Sequence, residues 1–385
     1  MAPMSSDPDP FRDAPLFREL QRVMASSTGP VNWELARQVG IANAAEAGED
    51  PAVPEMQGGL FEDAVRLAEL HVTKLTGLEP PGDLAQVRVV RRAEWVSAST
   101  EGLRGLLETS AGQIAAALER ATRDQMPEEA QGMGGLMTQL SPLLMGTQVG
   151  SVLGFLAQRV LGQFDVAVPR SGPPVMLFVW SNIAAFERDW TLDPTDLRTL
   201  IALHEVAHRF EFARPWSEPR LRELLEDFGA TLRIDVEGMQ ARLSSLDASD
   251  PDSLRALMDG EEGLFGTELD DEQRLKLARI QAFMAAAEGY ADHVMHAIGR
   301  ELLPSYARID EALRRYREED ASDPVFERLL GVEMKRERYE AGRAFCDEVV
   351  EQTDEATLAR MWESAEAMPS LPEVDEPVLW LARTV

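Results

Sequence analysis

Cysteine is nearly missing from this chain. Cys346 stands alone in 385 residues, which rules out an intrachain disulfide and a zinc site built from several thiolates. Basic residues are scarce, 38 Lys and Arg against 67 Asp and Glu, for a formal charge of −29. So acidic a surface repels phosphate backbones, so nucleic acid is not an expected partner. Histidine is rare, with five in the chain. There is no long run of Leu, Ile, Val or Phe, and the first ten residues have neither a basic stretch nor an apolar one. No signal peptide is therefore expected, and the cytoplasm is the expected compartment. The charge-free segment Gln131 to Gln158 comes nearest to a membrane span, with Gly146, Gly150 and Gly154 at small-xxx-small spacing. Gln139, Ser141, Pro142, Thr147 and Gln148 interrupt it, and the simpler expectation is a buried helical hairpin broken near Ser141-Pro142.

Two of the five histidines fall in Leu203-His204-Glu205-Val206-Ala207-His208, the His-Glu-x-x-His pattern. Helical residues four apart share a face, with Cβ atoms roughly 6 Å apart. Two imidazoles so placed can close on one zinc ion at about 2.0–2.1 Å per nitrogen. Glu205 follows the first of them, so its carboxylate can serve a metal-activated water as general base without binding the metal. Asp193-Pro194 supplies an N-cap and first-turn proline, and Asp196 adds first-turn negative charge. The stripe Leu197, Leu200, Ile201 runs into both histidines and turns them toward the interior.

Catalytic zinc usually takes three protein ligands. The best third candidate is Glu288, preceded by Ile280, Phe283, Met284 and Ala287, because a carboxylate among such neighbours needs a cation beside it. Asp292, one turn on, could accept the outer N–H of a ligand histidine and fix its tautomer. His293 lies about 140° and His296 about 80° around the helix from Glu288. Either could be a ligand if the helix is rotated, or could steady an oxyanion. His71 falls on an apolar helical face and is expected to be a packed residue.

The remaining chain is mainly α. Helices are expected over Trp33–Ala47, Leu60–Leu75, Gly102–Arg123, Asn182–Trp190, Leu221–Val236 and Asp271–Ile298, with a shorter one within 7–30. Arg88–Val96 could be a strand entering a helix. Pro173–Trp180 is the most strand-like stretch and the only candidate, on a weak signal, for an edge that pairs with extended substrate. An acidic loop-rich insert is expected over 247–266, and an extended Pro-containing tail after about Ser364.

Several stretches together resemble a bacterial family of zincin-like hydrolases, often labelled zinc-dependent metalloproteases, one branch of which is associated with deazaflavin coenzyme biosynthesis. They are Gly29–Trp33, Arg92–Val96, Leu161–Asp165, Leu203–Phe212, Glu288–Met295, Leu330–Lys335 and the tail around Leu371-Pro372-Glu373, Pro377 and Trp380. His296 departs from the pattern, standing where an acidic residue is expected. The resemblance implies a mostly helical zincin-like fold with a metal site. Region 1–165 would pack on a metal-binding catalytic region, 166–385. The spacing of Glu288 and Asp292 also resembles that of zincins with a Glu third ligand. The expected function is a Zn2+-dependent hydrolase, a metallopeptidase in kind, acting on a peptide or protein. The alternative is a zinc-stabilised scaffold without turnover, and a membrane-associated protease is a more distant one. Tyr339 and Arg343, one turn apart, are candidates to face substrate, though a packed tyrosine and a solvated arginine are simpler.

Overall fold

The computed structural model describes residues 29–82, 85–125, 131–232, 269–320, 334 and 336–384. The expected helix within 7–30 and the acidic insert at 247–266 lie outside them, apart from Gly29 and Pro30. Helices dominate: α1 (Trp33–Ala44), α2 (Met56–Thr76), α3 (Arg92–Gly102), α4 (Arg104–Gln125) and α5 (Gln131–Ala157) come first. Then follow α6 (Trp180–Trp190), α7 (Pro194–Phe212), α8 (Ser217–Gly229), α9 (Asp271–Leu302), α10 (Tyr306–Asp320) and α11 (Arg336–Gln352). Short α12 (Glu355–Ala359), α13 (Leu371–Asp375) and α14 (Pro377–Thr384) close the chain. The tail is therefore not extended. Trp380 is fully buried and donates its indole N–H to Ala367 O at 2.8 Å, which seats the last helix on the core.

Among the described residues the only sheet is a parallel pair, β1 (Gln86–Val90) and β2 (Val175–Val179), in register Gln86↔Val175 to Val90↔Val179. Helices α3, α4 and α5 form the crossover that a parallel pair requires. The second edge of β2 is also taken in part. Gly162 bridges Phe178 in antiparallel sense, and Val179 N–H bonds Leu161 O at 2.9 Å. At Phe178 and Val179 the strand therefore has partners on both sides, which shortens the edge that extended substrate could pair with to Val175–Leu177.

Gln131 to Ala157 is one continuous helix that carries Pro142 inside it, not a hairpin broken there. The glycines do allow close contact, but with another element. A Cβ at Gly146 would stand 2.5 Å from Asn32 O, and one at Gly154 would stand 2.6 Å from Asn43 Cβ, so the stripe lies along α1. The window Leu140–Ala157 is long and apolar enough to cross a membrane, and 44% of it is buried within the protein.

Two apolar cores result, and each draws on both sides of residue 165. One joins Phe61–Val72 of α2 to Leu197–Phe210 of α7 and Ala286–Ile298 of α9. The other joins α1, α3 and α5 to α8 and the start of α9. Helix α7 begins as its sequence predicts: Asp193 accepts the N–H groups of Thr195 and Asp196, each at 2.9 Å, with Pro194 in the first turn. It is then buried without a break from Thr199 to Glu211. Helix α9 starts with a reciprocal cap between Asp270 and Gln273. Its small residues let α11 approach until the backbones touch at Gly289 and Gly342, where neither position has room for a Cβ.

Candidate metal centre

A helix buried on every side should be apolar throughout. Helix α7 instead carries His204, Glu205, His208, Arg209 and Glu211 inside its buried stretch. Each has to meet a partner, because an unpaired buried charge is costly. Arg209 pairs with Glu69 of α2. The other four converge on one place.

His204 Nε2 lies 3.7 Å from Glu288 Oε1, and His208 Nε2 lies 3.4 Å from Glu288 Oε2. One donor atom from each of the three residues falls within 4.8 Å of the others. These separations are long for hydrogen bonds. Two donors each about 2.0–2.1 Å from a tetrahedral zinc would stand about 3.3–3.4 Å apart, so the spacing fits a shared cation. His208 Nε2 is also buried and makes no hydrogen bond. The donor set is two imidazoles and a carboxylate, the combination catalytic zinc takes in many hydrolases. Among these side chains alone, burial disfavours the ionised form of Glu288, but the two imidazoles outweigh it and hold its carboxyl well below the usual range. Burial likewise disfavours charged His208, yet Glu211 and Glu288 lift it to about 9.

A second grouping, Asp165 with His204 and Glu205, is equally compact. It is the poorer site because its carboxylates are already engaged. Asp165 Oδ2 accepts the N–H groups of Leu161 and Gly162, and Glu205 accepts those of Gln163 at 2.8 Å and Phe164 at 2.9 Å.

Glu205 is completely buried, with Oε1 3.8 Å from His204 Nδ1. Burial pushes its carboxyl upward, and His204 with the Phe164 amide opposes the shift. The loop that holds it is itself held. Trp95 Nε1 donates to Gly162 O at 3.1 Å, and Arg170 donates to Gln163 O. Asn182 donates to Ala157 O at 3.0 Å and Val160 O at 2.7 Å, while accepting from Arg92 Nε at 2.8 Å. The stretches Arg92–Val96 and Leu161–Asp165 thus share one purpose, a backbone cradle for Glu205. A Cβ at Gly162 would overlap the Glu205 carboxylate, so the cradle requires glycine. The sequence reading gave these residues no role, because the signal is a main-chain one that side-chain chemistry does not announce.

On His208 the accepting carboxylate is Glu211, 2.9 Å from Nδ1, and not Asp292. A carboxylate three residues on along the same helix is closer to hand than one from α9. Asp292 is half-buried, one turn beyond Glu288 on α9. His293 is corrected as an active-site residue. Its Nδ1 lies 2.6 Å from Asp347 and its Nε2 3.1 Å from Glu355, so both nitrogens are committed to α11 and α12. His296 Nδ1 meets Tyr306 Oη at 2.6 Å. Tyr339 packs on the second core, Arg343 lies 3.5 Å from Asp347, and His71 is half-buried on α2.

A fold of this kind with a His, His, Glu cluster on two buried helices defines a metal-dependent hydrolase class. The chain belongs to the zincin-like metallopeptidase family, whose model matches residues 31–381. It is also similar to a crystal structure from Chloroflexus aurantiacus described as a candidate hydrolase with a novel fold. The identity is 29% and the TM-score 0.66, over 92% of this chain and 98% of that one. A comparison with curated proteins gives no match.

Proposed function

We propose that the chain is a zinc-dependent peptidase whose metal is held by His204, His208 and Glu288, with Glu205 as general base. The observation that carries this is the pair of 3.4 and 3.7 Å separations joining both imidazole Nε2 atoms to one carboxylate of a distant helix. Zinc held there supplies Lewis acidity toward a water molecule and a scissile carbonyl. Glu205 would serve as the base, holding on a carboxylate oxygen a proton taken from water and delivering it to the leaving nitrogen. The amides of Gln163 and Phe164 orient the carboxylate, and its burial raises its affinity for the proton it carries between the two steps. The loop at Leu161 and Gly162 covers the Phe178–Val179 end of the second edge of β2, leaving little of it for extended substrate to pair with. We place this activity in the cytoplasm, on a peptide or protein substrate. The charge of −29 supports a role without nucleic acid, and the packing of α5 on α1 supports one without a membrane.

The second reading is a zinc-stabilised scaffold without turnover. It is favoured by Glu205 being wholly buried with its carboxylate already accepting two amides. One experiment separates the two: metal analysis of the purified protein and of Glu205→Gln, each then assayed on a mixed peptide library. Zinc in both with cleavage lost in Glu205→Gln supports the peptidase. Zinc in both with no cleavage by either supports the scaffold, and protein without zinc sinks both.

A further inference from the structure

We propose that Glu211 is a positioning residue that keeps the proton of His208 on Nδ1, so that Nε2 is always presented to the metal. The inference rests on the metal reading above and concerns a residue outside the ligand set. Glu211 is fully buried on α7, and its Oε2 lies 2.9 Å from His208 Nδ1. Its other oxygen, Oε1, is buried with no hydrogen-bond partner. A carboxylate placed in the core for structure alone would be expected to have both oxygens satisfied. This one spends its single hydrogen bond on an imidazole. The far nitrogen of that imidazole, Nε2, is also buried without a hydrogen bond and faces Glu288 Oε2 at 3.4 Å. Phe212 stacks on the ring at 5.5 Å with planes 5° apart, and Phe164 closes in at 6.0 Å. The ring plane is thus set by the phenylalanines and its tautomer by Glu211. Carboxylates in this relation to a ligand histidine typically contribute 10–100-fold to metal affinity.

The test is zinc affinity by chelator competition for wild type, Glu211→Gln and Glu211→Leu, with circular dichroism to check folding. Affinity is expected to fall about 10–100-fold, more in Glu211→Leu than in Glu211→Gln, which keeps an acceptor but not the charge. Long-range proton–nitrogen NMR of the zinc-loaded wild type needs no variant to fold, and it should show His208 protonated at Nδ1. Affinities within twofold of wild type, or a proton on Nε2, would overturn the role of Glu211 while leaving the metal centre standing. A wild type that binds no zinc overturns the metal reading, and this inference with it.

Discussion

The cradle of Glu205 gives the sharpest test of the structure, through Gly162→Ala. The added methyl would overlap the Glu205 carboxylate, and neither side has room to yield. The loop is pinned by Trp95 Nε1 on Gly162 O at 3.1 Å, by the Gly162↔Phe178 bridge and by Asp165 on two amides. Glu205 sits on a helix buried around its whole circumference. Overpacking at such a site costs about 1–3 kcal/mol. If the strain is relieved by parting the carboxylate from the Gln163 and Phe164 amides, two charge-assisted hydrogen bonds worth about 1.5–3 kcal/mol each are weakened instead. The expected loss of stability is therefore about 2–4 kcal/mol by urea unfolding. Hydrolysis should fall about a hundredfold or more, since a general base is worth about 10²–10⁴. Bound zinc should stay, because no ligand is touched. Gly58→Ala is the control: its Cβ would meet nothing within 4 Å, and as a helical alanine it should stabilise by up to about 1 kcal/mol. Should Gly162→Ala unfold within about 0.5 kcal/mol of wild type and turn over normally, the cradle is misread.

Other perturbations have equally definite outcomes. Removing zinc with a chelator should lower the unfolding midpoint, since ligand at a thousand times its Kd contributes about 4 kcal/mol; Glu288→Gln should show little of this dependence, and a wild type indifferent to chelator would contradict the site. His293 is held up at about 9 because Asp347 and Glu355 outweigh its burial. A pKa raised in the fold stabilises below about pH 6.5 and loses that contribution as pH climbs through about 9. Relative to His293→Gln, wild type should be more stable by up to about 3 kcal/mol at pH 6 and show little of that advantage at pH 9.5; a difference that does not change with pH would count against the pairing. Gly342→Ala would drive a methyl into the Ala285 carbonyl where α9 and α11 touch, and a loss of at least about 2–3 kcal/mol in a denaturant titration is expected.

How far the chain disclosed itself depends on the range of the interaction concerned. The start of α7 and the shared face of His204 and His208 are legible because capping and i, i+4 geometry are local. Glu288 stands out because a carboxylate following the apolar run Ala285–Ala287 is costly to bury without a cation beside it. The helix Gln131–Ala157 departs from its sequence expectation at Pro142, where a proline normally ends a helix. What overrides that tendency is contact along the glycine stripe with α1, a hundred residues away in sequence and invisible to periodicity. Glu211 lies three residues past His208, a local spacing on the same helix that the sequence displays as openly as the His204/His208 pair.

The distribution of charge in α7 connects fold to chemistry more tightly than a division into supporting and catalytic regions would suggest. Arg209 is answered from α2, Glu205 from the loop after α5, and His204 and His208 from α9. The answering loop is in turn held by Trp95 of α3 and by Asn182 of α6, itself bonded to Arg92. A carboxylate at full burial tolerates little change in these bonds, because each unmade one leaves a charge in the core. Helices α3 and α6, through the loop they hold, are therefore walls of the candidate metal centre as much as α7 and α9 are, and the centre should not assemble without them.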